Sequence, residues 1–311
     1  MADAKDAATS AQQASDETPP FRTILIASAA MIGAVLGFTM LDAVNKVLVK
    51  TYNPFFLSWA RSAGQVLILL ALIPLLGAGK LFRTNRPLLQ VARGFCIAGV
   101  SLSVTLAVRH LPLVETYVIG FLAPFLATVI ASIVLAERAT PFQWGVITAG
   151  FVGVLIALRP GTPEFSWPLI YPVAFAVINS VYFVLTRLGA RTETPEAQLF
   201  YVGVFATAAL SVFMPFHWEA PTAAAWGLIS LTGLLGTTAH ILLIYAFSRG
   251  ATAVISPMVY TQIIWSAIIG YVVFDDVPLW TTWIGAAVVV IAGIALIRSQ
   301  AQTSRRARPA D

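Results

Sequence analysis

The chain alternates long apolar runs with short polar breaks, and nowhere sustains the period-two alternation of a half-buried strand. Ten runs are read, near residues 23–45, 55–76, 88–108, 113–135, 141–158, 168–187, 198–216, 223–247, 252–274 and 279–298. Most approach the roughly 20 residues that cross a bilayer core. Lipid offers no water to backbone groups, so each run is predicted to bond within itself as an α-helix.

The stretch from Arg109 to Leu158 organises the rest. An apolar run containing Pro124 leads to a charged turn at Glu137–Arg138, then to a second run carrying Gly145, Gly150 and Gly153. The same order returns from Arg249, with Asp275–Asp276 at the turn and Gly285 and Gly293 beyond it. Arg109 and Arg249, Gly145 and Gly285, and Gly153 and Gly293 share one offset, the mark of a duplicated unit. Five helices per unit is an odd number, so the second unit enters the membrane from the opposite side. The expectation is an all-α integral membrane protein with ten transmembrane helices in two inverted five-helix repeats. Residues 1–22 form a disordered cytoplasmic tail, 23–160 the first repeat, 165–298 the second and 299–311 a basic cytoplasmic tail.

Composition agrees with that reading. The chain of 311 residues is 58% hydrophobic and 11% charged, whereas a soluble domain is about 25% charged. Its formal charge of +5 is spread over loop positions, so no nucleic-acid partner is expected. Cys96 is the only cysteine and precludes an intrachain disulfide, and His110, His217 and His240 lack metal-ligand spacing. No cofactor, metal or catalytic residue is expected. Of the 19 lysines and arginines, 13 fall in tails and loops on the side of the N-terminus. Four (Lys46, Lys50, Arg109 and Arg159) fall on the other side, and Arg61 and Arg93 lie within runs. The bias predicts both termini in the cytoplasm of a multi-pass inner-membrane protein.

Several stretches resemble the drug/metabolite transporter superfamily in its EamA-type family. Asp42-Ala-Val-Asn-Lys46 followed by Arg61 is similar to the family's lysine late in the first helix and arginine in the second. LAVRHLPLVETYVIGFLAPF and LAERATPFQWGVITAGFVGVLI resemble its third-to-fourth and fifth helices. AFSRGATAVISPMVYTQIIWSAIIGYVVFDD and WIGAAVVVIAGIALI repeat both patterns, with Asp275–Asp276 where many relatives carry Gly-Glu. The resemblance implies a secondary transporter of small organic solutes working by alternating access. The opening of the first helix looks most like importers of riboflavin or S-adenosylmethionine, with amino-acid or drug exporters as the alternative. A membrane-embedded enzyme or a channel is a distant alternative, since the acidic pair between the apolar runs, Asp275–Asp276, lies in a short loop.

Polar side chains in a hydrocarbon layer are costly and mark candidate sites. Asp42 and Lys46 share a helical face four residues apart, readable as a gate or as a structural ion pair. Arg61 reads as a partner for Asp42 or as a snorkelling side chain. Glu115 reads as a site for a proton or cation, or as a salt bridge to Arg109 or Lys46. Arg93 reads as snorkelling. His240 reads as a packing residue or a proton carrier. With Asp42, Lys46, Arg61 and Glu115, it forms the gating or coupling set, a proton being the possible coupling ion. Asn179 and Gln262 are amides near the midplane that suit an uncharged polar group or an interhelical bond. Tyr117, Phe121, Tyr182, Tyr260 and Trp265 complete the substrate-binding set, either as stacking surfaces for a planar ring or as ordinary packing. Trp144, Trp167, Trp218, Trp226, Trp280 and Trp283 read as interfacial anchors.

Overall fold

The computed structural model describes residues 21–76, 78–134, 139–162, 165–189, 192–249 and 252–306. Nearly all of the expected N-terminal tail, the Glu137–Arg138 turn and the last residues of the C-terminal tail lie outside them.

Among the described residues all regular structure is helical. The long elements are α1 (Phe21–Leu48), α2 (Pro54–Ala71), α3 (Pro87–His110), α4 (Leu113–Val134) and α5 (Pro141–Leu158). They continue with α6 (Trp167–Gly189), α7 (Pro195–Ser211), α8 (Ala223–Arg249), α9 (Ser256–Phe274) and α10 (Trp280–Arg306). Nine are long and apolar enough to cross a membrane. The remaining one, α7, has 17 residues and resumes after a short break as the turn Met214–His217. Proline at the first turn and a side-chain cap fix several starts: Asn53 before Pro54, Thr140 before Pro141, and Thr194 before Pro195. A proline there loses no intrahelical bond, and the cap satisfies an orphan amide.

No span has more than half of its apolar core window buried inside the protein, the share running from 28% to 50%. The remaining apolar surface faces the lipid. All six tryptophans read as anchors are exposed, Trp280 most at 71%.

Small residues set the closest helix contacts. On α1, Gly37 faces Ala239 of α8, and Gly236 of α8 faces Leu41. On α3, Gly94 lies directly against Phe205 of α7. Gly285 of α10 rests on α5, where a methyl group would come 2.6 Å from the Gly153 carbonyl oxygen. Its repeat partner Gly145 faces open space.

Most of the major helix pairs follow a simple exchange, though α1–α3 and α2–α3 have no counterpart in α6–α8 and α7–α8. Replacing each helix by the one five places on turns α1–α8 into α6–α3, α2–α8 into α7–α3, and α4–α6 into α9–α1. The same operation returns α2–α7, α4–α9 and α5–α10 to themselves.

Three of these helices are irregular; α6 starts with a short 3-10 turn, Trp167–Leu169, and the other two are α4 and α9. α4 is interrupted after Gly120, where Phe121 and Leu122 form a turn before the helix resumes at Ala123. Pro124 has no amide to return to Gly120, which is the local cause. α9 begins as a 3-10 segment, Ser256–Tyr260, containing Pro257, and becomes α-helical at Thr261. The irregular stretches of α4 and α9 meet: the rings of Phe121 and Tyr260 pack with centroids 4.9 Å apart.

Candidate functional site

A buried polar cluster gathers side chains from α1, α2, α3, α4, α8 and α9. Its centre is Asp42 on α1, only 6% exposed. The Tyr117 hydroxyl of α4 donates to Asp42 Oδ2 at 2.5 Å. Gln262 of α9 adjoins the same hydroxyl. Arg61 of α2 is the cation whose field reaches Asp42, Tyr117 and His240 alike. Its guanidinium makes one long hydrogen bond, 3.4 Å from Nη1 to Ser101 Oγ on α3. His240 of α8 bonds through Nδ1 to the Gly236 carbonyl at 2.8 Å and packs edge-on against Phe38. The second carboxylate oxygen, Asp42 Oδ1, is buried with no hydrogen-bond partner. A carboxylate has lone pairs for about four bonds, and a buried one lacking partners is expensive. One turn further along α4, Phe121 and Tyr260 add an aromatic wall.

A second polar layer closes the end of the molecule at which Leu48, Leu113 and Phe274 lie. Lys46 forms an ion pair of 2.5 Å with Asp276, donates to the Leu111 carbonyl at 3.1 Å, and lies over the Phe274 ring. Asp276 is aimed by the end of α9, where Asp275 takes a left-handed conformation (φ 54°) and the Asp276 amide returns to the Gly270 carbonyl. Glu115 pairs with Arg159 at 3.0 Å and accepts from Thr282 of α10 at 3.3 Å. Arg159 reaches back because it caps α5 in a left-handed conformation (φ 52°).

The opposite end is joined by a different set. Arg93 is 2% exposed and donates to Gln90 (2.7 Å), Thr186 (3.2 Å) and Tyr182 (3.4 Å), linking α3 to α6. Beside it, Glu193 accepts from the Asn85 amide at 2.8 Å and from Gln90 at 3.4 Å. Thr84 and the Arg86 amide also support this carboxylate. Burial pushes its pKa up, and the combined hydrogen bonds outweigh that and hold it below the ordinary 4.5.

The expected site residues thus separate into groups. Asp42, Arg61, Tyr117, Gln262 and His240 come together, with Phe121 and Tyr260 alongside. Lys46 and Glu115 belong to the layer at the Leu48 end. Lys46 pairs with Asp276 rather than Asp42, because the acid four residues earlier is taken by Tyr117. Glu115 pairs with Arg159 rather than Arg109 or Lys46. Arg93 does not snorkel; its partners on α6 hold it inside. Tyr182 is bound to Arg93, away from the Tyr117 cluster, and Asn179 lies one turn from Tyr182 on α6, half-buried. Trp265 packs beside Met31 and Ala246 at the α1–α8–α9 seam, its indole Nε1 buried without a partner. Reading the sequence did not single out Ser101, Arg159, Asp276 or Thr282 as site residues. The spacing Ser101-x-Ser103-x-Thr105 in an apolar run was the available signal for Ser101. A groove of about 460 Å³ between α9 and α10, lined by Pro257, Ile264, Trp283 and Ile291 among others, is almost wholly apolar and opens towards lipid. It offers a polar solute nothing to bond, so the Asp42 cluster is the better candidate site.

Comparison with known proteins decides the class. Residues 25–159 and 166–299 each match the EamA-like transporter family. The chain belongs to that family. This EamA-like chain is 26% identical to an S-adenosylmethionine uptake transporter of Rickettsia bellii, over 83% of its own length and 89% of the relative's. It is 27% identical to a riboflavin transporter of Brucella anthropi, over 78% and 88%. A pseudopaline exporter of Pseudomonas aeruginosa is 24% identical over 89% and 98%. A crystal structure at 20% identity superposes with a TM-score of 0.61, covering 91% of this chain and 99% of the other, so the fold is shared. Family membership makes this EamA-like chain a membrane transporter of small metabolites.

Proposed function

We propose that this EamA-like chain is a secondary transporter that carries a small, ring-bearing metabolite across the inner membrane by alternating access. Ten helices cross the bilayer as two inverted five-helix repeats with both termini cytoplasmic, α7 with its terminal turn making the tenth crossing. Support for the repeat comes from the major helix pairs, most of which map onto one another when each helix is exchanged for the one five places on. Support for the orientation comes from the bias of lysine and arginine. In that frame the Leu48 end is the outer side. The two ion pairs there form an outer gate, and Arg93 and Glu193 lie towards the cytoplasm.

The observation that carries the site assignment is Asp42: a buried carboxylate with one unpartnered oxygen, among side chains drawn from both repeats. Transporters of this architecture bind solute near the midplane, where helices are discontinuous. The breaks in α4 and α9 flank that level. Tyr117, Phe121, Tyr260 and Gln262 line the solute site, with Trp265 at its edge. Asn179 and Tyr182 are the α6 contribution, reached as the halves rock. Asp42, Arg61 and His240 are the groups through which a proton would be coupled, and Glu115 and Lys46 hold the gate. The names of the relatives favour a cargo such as S-adenosylmethionine or riboflavin. The exporter among them keeps amino-acid or drug export as the second reading. The test is a thermal-shift screen of purified protein against S-adenosylmethionine, riboflavin and amino acids, followed by uptake of the stabilising compound into proteoliposomes. Stabilisation followed by saturable uptake is expected; no stabilisation by any of them contradicts the cargo assignment.

A further inference from the structure

Asp42, buried, and Arg61, half-buried, are opposite charges of one polar cluster that do not touch. No salt bridge within 4.0 Å joins them, although each lies in the other's field. Asp42 is incompletely satisfied, with Oδ1 buried and free of hydrogen bonds, while the half-buried Arg61 makes one long bond, to Ser101, and has donors left to offer. A buried carboxylate held apart from its nearest cation is costly unless something completes it. A third charge, Lys46, stands one helical turn from Asp42 but is occupied by Asp276 and the Leu111 carbonyl. Tyr117 already donates to Asp42 Oδ2, Asn45 stands beside the same carboxylate, and His240 is bonded to the Gly236 carbonyl.

We propose that Asp42 and Arg61 form a split ion pair that reads a zwitterionic α-amino-acid head group, Asp42 Oδ1 taking the ammonium and the Arg61 guanidinium the carboxylate. This rests on the transport reading of the same site and narrows its cargo. A zwitterion supplies both missing partners at once and leaves the site electrically neutral, whereas an uncharged ring system supplies neither. The Phe121–Tyr260 wall, one turn from Tyr117, then receives the planar remainder of the solute. Opening of the Lys46–Asp276 contact, one turn beyond Asp42, gives access to Oδ1.

The experiment uses the full chain in detergent and in proteoliposomes, with S-adenosylhomocysteine, 5′-methylthioadenosine and riboflavin as probes. The first two share the adenosine and thioether, but only S-adenosylhomocysteine carries the amino-acid head. The wild type is expected to bind S-adenosylhomocysteine at least tenfold more tightly than 5′-methylthioadenosine. Asp42→Asn and Arg61→Gln should each erase that preference. Should either variant fail to fold, the comparison of ligands on the wild type still decides. Equal affinity for the two adenosine compounds overturns the proposal. So does transport of riboflavin together with no binding of S-adenosylhomocysteine, an outcome in which the transport reading stands. Tight binding of the zwitterion without transport upholds the head-group assignment and overturns the transport reading instead.

Discussion

Lys46 and Asp276 are 230 residues apart in sequence, and their side chains meet at 2.5 Å where the end of α1 faces the end of α9. The contact joins the two repeats at one end of the molecule, beside Glu115, whose field Asp276 also reaches. Reversing the pair is the direct check of its role. Lys46→Asp alone and Asp276→Lys alone place like charges in contact, and each should lower transport by about tenfold or more, an energetic cost of about 1.4 kcal/mol. The double exchange should restore at least part of the activity. Equal loss in all three variants would show that the pair does not act as a unit.

Arg93 is predicted to be structural. Its removal leaves Gln90, Thr186 and Tyr182 without their shared donor in a buried seam. Breaking a buried charged network by deleting one partner costs about 3–5 kcal/mol. Arg93→Ala should therefore lower the melting temperature in detergent far more than Tyr182→Phe, which removes one 3.4 Å bond. A larger effect of Tyr182→Phe on solute affinity than on melting is expected if Tyr182 is the α6 contribution to the solute site; the reverse would leave it a structural partner of Arg93 only.

The course of the helices is legible in the sequence, because lipid forces every apolar run into one kind of structure. Broken helices were legible in part: Pro124 inside an apolar run marks the α4 interruption, whereas the 3-10 start of α9 around Pro257 was not foreseen. Charge partners were not. The sequence places Asp42 and Lys46 on one helical face and invites pairing between them. Their actual partners, Tyr117 and Asp276, come from other helices. Glu115 finds Arg159 because a left-handed cap turns the chain back at the end of α5, a backbone choice no hydropathy pattern encodes. Arg93 reads as a snorkelling residue from its place near a helix end; only the proximity of α6 makes burial affordable. Long-range pairings depend on which helices adjoin, and that is set by small residues such as Gly94 and Gly285 rather than by the polar residues themselves.

The repeat-related glycines give an internal control. Gly145 faces open space, so Gly145→Ala should be neutral or stabilising by about 0.5–1 kcal/mol through the lower entropy of the unfolded helix. Gly285→Ala places a methyl group 2.6 Å from the Gly153 carbonyl and should separate α5 from α10. A drop in melting temperature for Gly285→Ala with none for Gly145→Ala is the expected pair of results.

Glu193 predicts a response to acid. Its folded pKa lies below the ordinary 4.5, so its contribution to stability is fully present above that value. The contribution is lost as pH falls through the folded pKa, because the unfolded chain binds the proton first. Melting temperature measured from neutral pH down to about pH 3 should fall more steeply for the wild type than for Glu193→Gln. Parallel curves would show that the Asn85–Gln90 cradle does not favour the ionised form.

Counterflow in proteoliposomes is the most direct measurement of the central claim. Vesicles loaded with unlabelled S-adenosylmethionine and placed in a trace of the labelled compound should accumulate label above its outside concentration and then release it, with no accumulation by the Asp42→Asn variant. Entry of label at a rate indifferent to the internal solute would describe a channel, and would contradict an alternating site built around Asp42.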